Sequence, residues 1–318
     1  MRTDETRLPD PVHVVIDGAT IATYVLEPEG PSAGDVVLCH GTPWSSRVWA
    51  QVARRLSATQ RVHLWDMPGY GRSTMDAGAP VDLPTQSARL ARLLAHWGLD
   101  RPHLVAHDVG GAVALGAHLV HGAEYADLFL WDTVTLDPWG SPFFRLVADH
   151  PDVFPQLPPA LHAALVREYV SGASRHRLDA ATTDVLAEPW LDEVGQRAFY
   201  RQVAALRPED TRPVAARLGE VRCEVGVGWG AEDPWVPVEQ AARLRALLPG
   251  DAPVVELDGV AHLAPLEAAR AVADTLDAWL SRSRESLTGD AASAETGSPV
   301  VAGHLPPGGG SGMSSSGF

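Results

Sequence analysis

The chain has 318 residues, of which 45% are hydrophobic, and its formal net charge is −15 at pH 7. This composition is typical of a globular protein with one large α/β domain or two small ones, and the acidic charge argues against a nucleic-acid partner. Every basic residue counted as Lys or Arg is an arginine, which excludes Schiff-base chemistry and a P-loop lysine.

The start of the chain, residues 1–11, is charged and lacks the apolar h-region of a secretory signal. No apolar run in the sequence reaches the length needed to cross a bilayer. We therefore expect a cytoplasmic protein that does not bind a membrane. The two cysteines, Cys39 and Cys223, fall within predicted buried strands, where a free thiol behaves as a small apolar group. A disulfide or a metal site is therefore not expected.

Short apolar segments alternate with amphipathic helical patterns in the first 134 residues and again after residue 213. The predicted strands are 12–16, 21–26, 36–39, 62–65, 103–105, 125–131, 223–227 and 254–257. The predicted helices between them are 46–56, 84–97, 110–121, 238–248 and 266–280. This alternation is typical of an α/β fold in which helices cover both faces of a mostly parallel sheet, here of eight strands.

The alternation stops between residues 135 and 213, where helical patterns, aromatic residues and prolines occur without a strand pattern. We predict that 135–213 form a helical cap inserted into a core made of residues 1–134 and 214–281. Residues 282–318 are rich in Gly, Ser, Pro and Ala. Such a segment cannot bury enough apolar surface to offset its ordering entropy, so we predict a disordered tail.

The most informative motif follows the strand at 103–105 and reads AHDVGG at residues 106–111. It has the small-x-nucleophile-x-small pattern of a nucleophile elbow, with Asp108 in the nucleophile's place. A carboxylate in such a turn is suited to displacing a leaving group from an sp3 carbon, which gives an alkyl-enzyme ester. Epoxides and organohalides are the substrates that this chemistry predicts. The alternative is that Asp108 only caps the following helix.

An ester on Asp108 must be cleaved by water, which requires a general base. His262 follows the last predicted strand, at the same sheet edge as the elbow, and is the predicted base. Asp233 follows the strand at 223–227 and is the predicted acid that orients it, because nucleophile, acid and histidine then occur in the expected chain order. Asp132, at the end of its own strand, is the competing acid.

Developing negative charge at the elbow also needs hydrogen-bond donors. We predict that the backbone N–H groups of Thr42 and Val109 form the oxyanion hole, because they would converge on one oxygen of Asp108 or of the intermediate that water forms. The Thr42–Pro43 bond is a candidate for the cis isomer, which would aim the Thr42 amide.

Over about residues 12–280 the chain resembles the α/β-hydrolase family. The matching segments are HGTP at 40–43, residues 66–73, the elbow, Asp233 and His262. Within that family, the aspartate elbow resembles the branch that contains epoxide hydrolases and the haloalkane and haloacetate dehalogenases. The resemblance implies a cofactor-independent hydrolase.

Three comparisons within that branch bear on the substrate. Haloalkane dehalogenases carry Asn at the position of Thr42 and Trp at the position of Val109. Haloacetate dehalogenases carry Arg at the position of Val109. Epoxide hydrolases also usually have Trp there, but the segment FYRQ at 199–202 resembles their aromatic-Tyr-Arg-Asn segment. Tyr200 is therefore the predicted ring-opening donor. Trp139 and Tyr169 are the predicted substrate-binding residues of the cap.

The sequence thus predicts a hydrolase that acts with water on a small apolar organic substrate, and an epoxide is the favoured class. A dehalogenase of small organohalides is the first alternative. The second is a non-catalytic binder that keeps the hydrolase pocket, because Val109 replaces the residue that both groups of enzymes usually carry beside the nucleophile. The sequence leaves open whether the chain forms a homodimer.

Overall fold

The structure is a computed structural model that describes residues 6–176 and 178–295. Its strands are β1 Val12–Ile16, β2 Ala19–Leu26, β3 Asp35–Cys39, β4 Arg61–Trp65, β5 His103–His107, β6 Asp127–Trp131, β7 Glu224–Gly230 and β8 Val254–Leu257. They form one eight-stranded sheet in the order β1-β2-β4-β3-β5-β6-β7-β8. Only the pairs β1–β2 and β2–β4 are antiparallel within this sheet. The prediction of an eight-stranded, mostly parallel sheet is confirmed.

The central strands explain why the sequence shows short apolar runs rather than alternation. Every residue of β5 and of β6 is buried, because helices cover both faces of the sheet there. The parallel strands β3, β5, β6, β7 and β8 all end at the same edge of the sheet. Side chains that directly follow these strands are therefore brought together, and this edge carries the site described below.

Eleven α-helices flank or cap the sheet within the described residues. They are α1 Ala50–Leu56, α2 Leu83–Trp97, α3 Val109–Leu119, α4 Pro142–Asp149, α5 Pro159–Ser171, α6 Ala180–Ala187, α7 Glu193–Ala205, α8 Pro208–Ala215, α9 Glu239–Arg245, α10 Ala264–Glu267 and α11 Ala269–Glu295. Local chemistry sets the ends of α2: the Asp82 side chain accepts a hydrogen bond from the Thr85 amide, and Gly98 ends the helix with φ of 69°.

The insertion between β6 and β7 contains helices and loops but no strand among the described residues. It consists of helices α4 to α8 and short 3-10 turns, of which Glu188–Trp190 contacts the core. In the described part of the chain, no helix combines the length and the apolar character that a membrane span requires.

Two sequence-based expectations need correction. Cys223 lies just before β7 and is half-buried, because the strand begins one residue later than expected. Residues 282–295, predicted to be disordered, belong to helix α11. This segment has a single glycine and no proline, so its local helix propensity is sufficient to continue the helix. Residues 296–318 of the predicted tail lie outside the described residues. The core and cap together form one compact unit that ends at Leu280.

Candidate active site

Asp108 occupies the turn between β5 and α3 in a strained backbone conformation. Its φ of 56° and ψ of −132° lie outside the regions that residues other than glycine prefer. The turn is held by backbone hydrogen bonds, since the Asp108 carbonyl accepts from the amides of Gly111 and Val134 at 3.0 and 3.1 Å. The predicted nucleophile elbow is therefore present, and Asp108 is presented at its tip rather than serving as a side-chain cap of α3.

Close backbone approaches fix the positions of the loops around Asp108. A Cβ on Gly110 would overlap the backbone oxygen of His40, and a Cβ on Gly230 would overlap that of Ala261. Glycine is therefore required where the elbow meets the loop after β3, and where β7 meets the loop after β8. These two contacts hold the ends of four strands at a set separation.

The Asp108 carboxylate is buried and is held by the loop that follows β3. Its Oδ2 accepts a hydrogen bond from the Thr42 backbone N–H at 2.7 Å. The Thr42–Pro43 peptide bond is cis, as considered from the sequence. Val109 is the first residue of α3, so its N–H belongs to the group without an intrahelical acceptor, and the residue lines the same cavity as Asp108. The structure thus places both predicted oxyanion-hole residues beside Asp108.

His262 lies between two carboxylates and is fully buried. Its Nδ1 donates to Oδ2 of Asp233 at 2.8 Å, while its Nε2 lies 3.8 Å from Oδ2 of Asp108. The other oxygen of Asp233 accepts from the amides of Trp235 and Val236 at 2.7 and 2.9 Å. These bonds fix the acid, and the acid in turn fixes which imidazole nitrogen faces the nucleophile. The structure brings the predicted nucleophile, base and acid together.

The charges around His262 control its protonation. Burial lowers its pKa, but the carboxylates of Asp233 and Asp108 outweigh burial and hold the pKa of His262 well above its usual value. The imidazole is therefore cationic near neutral pH as long as both carboxylates keep their charge.

Asp132, the competing acid, has a different role. Its Oδ1 accepts from the Gly230 amide at 2.6 Å, and its Oδ2 is buried without a hydrogen-bond partner among the described residues. Burial raises the pKa of Asp132 well above its usual range, and the Asp233 carboxylate raises it further. Both effects favour the uncharged form of Asp132, and no hydrogen bond joins it to His262 among the described residues.

A cavity of about 290 Å³ opens in front of Asp108. Its walls are mainly apolar and aromatic, and the polar groups that face it come from few side chains. The lining residues are Thr42, Asp108, Val109, Val134, Trp139, Gly140, Ser141, Pro142, Phe144, Tyr169, Pro234, Trp235, Val236 and His262. The structure thus places both predicted substrate-binding residues, Trp139 and Tyr169, in the wall of the cavity that holds the nucleophile.

Tyr169 lines the cavity, which is the position that the sequence analysis expected for the ring-opening donor Tyr200. Its ring stacks on Trp235 with centroids 4.9 Å apart, and Trp235 in turn lies 5.0 Å from the His262 ring. Burial raises the pKa of Tyr169 well above its usual value, and the Asp108 carboxylate raises it further. The hydroxyl therefore keeps its proton at any working pH. Trp235 was missed at the sequence level, where its only signal was its place two residues after Asp233.

The expectation that Tyr200 donates to the substrate needs correction. Tyr200 does not line the cavity, and its hydroxyl is engaged with Nδ1 of His162 at 2.9 Å inside the cap. Its ring packs on Phe154 with centroids 5.5 Å apart. The motif that suggested it lies on α7, where residues two apart point in different directions. Gln202, not Tyr200, is the residue of this segment that reaches the loop after β3.

The described residues hold no group of three or more His, Cys, Asp or Glu side chains arranged to bind a metal ion. The chemistry available at this edge of the sheet is that of a buried carboxylate at a strained turn, a histidine oriented by a second carboxylate, and a backbone donor. This arrangement matches the predicted one of a nucleophile, a base with its acid, and an oxyanion hole.

Together the fold and this site define a hydrolase of the α/β type. The family model described as alpha/beta hydrolase family matches residues 36–275, and the chain belongs to that family. An α/β hydrolase fold protein from Burkholderia ambifaria is 36% identical, with a TM-score of 0.80, over 85% of this chain and 97% of that one.

Two further relatives show the range of the similarity. A 2-hydroxy-6-oxononadienedioate/2-hydroxy-6-oxononatrienedioate hydrolase from Cupriavidus pinatubonensis is 28% identical over 74% of this chain and 83% of its own length. An ancestral haloalkane dehalogenase has a TM-score of 0.75 at 18% identity, over 86% of this chain and 99% of its own. The second likeness concerns the fold alone.

Proposed function

We propose that this hydrolase opens epoxides through an alkyl-enzyme ester on Asp108. The observation that carries the proposal is the position of the Asp108 carboxylate at the strained elbow, with Oδ2 bonded to the Thr42 N–H and 3.8 Å from Nε2 of His262. A carboxylate so placed can displace oxygen from a strained ring carbon. In the first step the Asp108 oxygen bonds to that carbon, the C–O bond of the ring breaks, and Tyr169 gives its proton to the alkoxide.

The second step uses the change in charge that the first step causes. Ester formation removes the negative charge of Asp108, one of the charges that raises the pKa of His262. The pKa therefore falls, His262 passes its proton to the Tyr169 phenolate left by the first step, and the neutral imidazole can then take a proton from water. Water adds to the ester carbonyl, whose oxyanion the Thr42 N–H holds. Collapse releases the diol, whose oxygen takes the proton from His262, and Asp108 then gives its own acid proton to His262, which restores the starting charges.

The donors around the cavity favour an epoxide over an organohalide. Tyr169 supplies a hydroxyl for a leaving oxygen. At the two positions where haloalkane dehalogenases carry Asn and Trp, the Thr42 hydroxyl is bonded to Gln202 and Val109 has no side-chain donor. The indole N–H of Trp139 is also engaged, with Thr211 at 2.9 Å.

The test is mass spectrometry of a His262→Gln variant that has been incubated with a panel of epoxides and haloalkanes. Without its base, the enzyme is expected to stop at the ester, so the elbow peptide gains the full mass of an epoxide. A gain equal to a haloalkane less hydrogen halide would instead assign dehalogenation. The matched control adds Asp108→Asn to the same variant, which must abolish the adduct. A folded His262→Gln protein that gives no adduct with any compound would contradict the proposal and favour a non-catalytic binder.

In the otherwise unchanged protein, Asp108→Asn is expected to abolish turnover while leaving the fold intact, because the amide keeps the shape of the side chain but is a poor nucleophile. Product release and the circular dichroism spectrum are the measurements. Turnover close to that of the unchanged enzyme would contradict the mechanism.

A further inference from the structure

A buried glutamine of the cap contacts the loop that holds the nucleophile. Gln202 lies on α7 and is fully buried. Its Oε1 accepts hydrogen bonds from the hydroxyls of Thr42 and Tyr70 at 2.7 and 2.8 Å. The same Thr42 donates its backbone N–H to Oδ2 of Asp108 at 2.7 Å. Gln202 is thus one residue removed from the nucleophile, although it does not line the cavity.

A second cap contact reaches the neighbouring residue of this loop. The indole N–H of Trp190 donates to the backbone oxygen of Pro43 at 3.1 Å. Trp190 also packs edge-on against the Tyr70 ring, with centroids 5.8 Å apart. The cap therefore contacts both residues of the cis peptide bond. Gln202 bonds the side chain of Thr42, and Trp190 bonds the carbonyl of Pro43.

The unpaired end of Gln202 indicates that its oxygen has a specific role. Its Nε2 is buried and has no hydrogen-bond partner among the described residues. An unsatisfied buried donor is costly, so an apolar side chain of similar size would pack there at lower cost. What Gln202 adds is an acceptor for the Thr42 hydroxyl. Because Thr is β-branched and stiff at χ1, fixing its hydroxyl also fixes the backbone of the residue.

We propose that Gln202 is a positioning residue that aims the Thr42 amide at the carbonyl oxygen of the ester on Asp108. This inference rests on the proposed function. The amide matters most when water adds to the ester, because that step puts a full negative charge on the oxygen that the amide holds. Gln202 therefore controls ester hydrolysis more than ester formation, and the cap takes part in the second half of the reaction through this contact.

The experiment compares two buried glutamines of the same helix in the full chain. Gln202→Met removes the acceptor for Thr42. Gln196→Met is the matched control, because Gln196 is also buried on α7 but donates only to the cap carbonyls of Pro155 and Leu157. Single-turnover measurements with an epoxide that alkylates the enzyme give the rates of ester formation and ester decay separately.

For Gln202→Met we expect ester decay to slow about tenfold, less than the ~10²–10³ lost when an oxyanion donor is removed outright, and ester formation to change less than about twofold. The ester should then accumulate during turnover. Gln196→Met should leave both rates unchanged. Decay at the unchanged rate in Gln202→Met, or an equal loss in formation and decay, would overturn the inference.

A second variant tests the same contact from the core. Thr42→Val removes the hydroxyl but keeps the amide, so it should slow ester decay as Gln202→Met does. The double variant should be no slower than either single one, since both changes remove one interaction. The Thr42→Val variant can be measured even if Gln202→Met does not fold. Losses in the rate of ester decay that add up in the double variant would overturn the inference. Absence of an ester even in His262→Gln would instead reject the proposed function itself.

Discussion

Two buried aspartates lie near His262, and their hydrogen bonds give them different roles. Asp233 accepts from the imidazole at 2.8 Å, whereas Asp132 accepts only from the Gly230 amide through one oxygen. A carboxylate that orients a histidine also stabilises the imidazolium that forms during catalysis, and replacing it by an amide favours the wrong tautomer. A carboxyl group that is bonded to a backbone amide and not to the imidazole provides neither effect.

We therefore expect Asp233→Asn to lower kcat by about 10²–10⁴-fold, the range for loss of acid–base catalysis. Asp132→Asn should lower kcat less than about tenfold, because the amide keeps the shape of the side chain and an oxygen that can accept from the Gly230 amide. Steady-state turnover of an epoxide checks both variants. Equal losses in the two variants would contradict the assignment of the acid.

The two cap tyrosines allow a second comparison at the residue scale. Tyr169→Phe should slow ester formation by about 10²-fold or more, since the leaving oxygen loses its proton donor. Tyr200→Phe removes a hydroxyl that bonds His162 within the cap, so the rate of ester formation should be nearly unchanged. Burst kinetics would measure this rate. If Tyr200→Phe slowed ester formation more than Tyr169→Phe, the result would instead support Tyr200 as the proton donor, as the sequence suggested.

At the scale of elements, the strand, turn and helix around Asp108 depend on close packing of backbones. A Cβ on Gly110 would overlap the His40 backbone oxygen, which cannot rotate away as a side chain can. Gly110→Ala should therefore destabilise the fold by about 1–3 kcal/mol and reduce activity by displacing the elbow. Gly30→Ala is the control, because a Cβ there meets open space. Urea unfolding checks both variants, and equal stability in the two would contradict the prediction.

Much of this element-level organisation could be predicted from the sequence. Residues that follow parallel strands meet at one sheet edge, so Asp108, Asp233 and His262 could be grouped from strand patterns alone. The cap was harder, because the direction in which a helical side chain points depends on how the helix packs on the core. Tyr200 and Gln202 are two residues apart on α7, and only the packed structure shows that the second one reaches the site.

At the scale of the whole molecule, buried histidines make stability depend on pH. Burial lowers the pKa of five of them, and that of His107 falls to about 4. The five are His40, His63, His107, His118 and His162. They are neutral in the folded protein, whereas the unfolded chain takes up protons as pH falls through the ordinary histidine pKa of 6.5. The stability that they contribute is present above that pH and is lost as the pH falls toward each folded-state pKa.

His107→Gln isolates one part of this effect. The variant should lose less unfolding free energy than the unchanged protein between about pH 6.5 and pH 4, because a buried histidine that takes up a proton mainly on unfolding has been removed. His262, with a raised pKa, acts in the opposite sense: its contribution is complete below pH 6.5 and is lost as pH rises through its folded-state pKa. Urea titrations at several pH values measure the difference, and parallel curves would contradict the prediction.

The glycine contacts at Gly110 and Gly230 also bear on how such an enzyme could acquire new substrates. They fix the spacing of the catalytic loops, so any side chain at either position would move the nucleophile or the base away from its partner. The cavity wall formed by Trp139 and Phe144 comes from the cap and carries no such constraint. Changes in substrate range are therefore expected mainly in the cap. A library built for new specificity should vary these cap residues of the cavity wall and leave Gly110 and Gly230 unchanged.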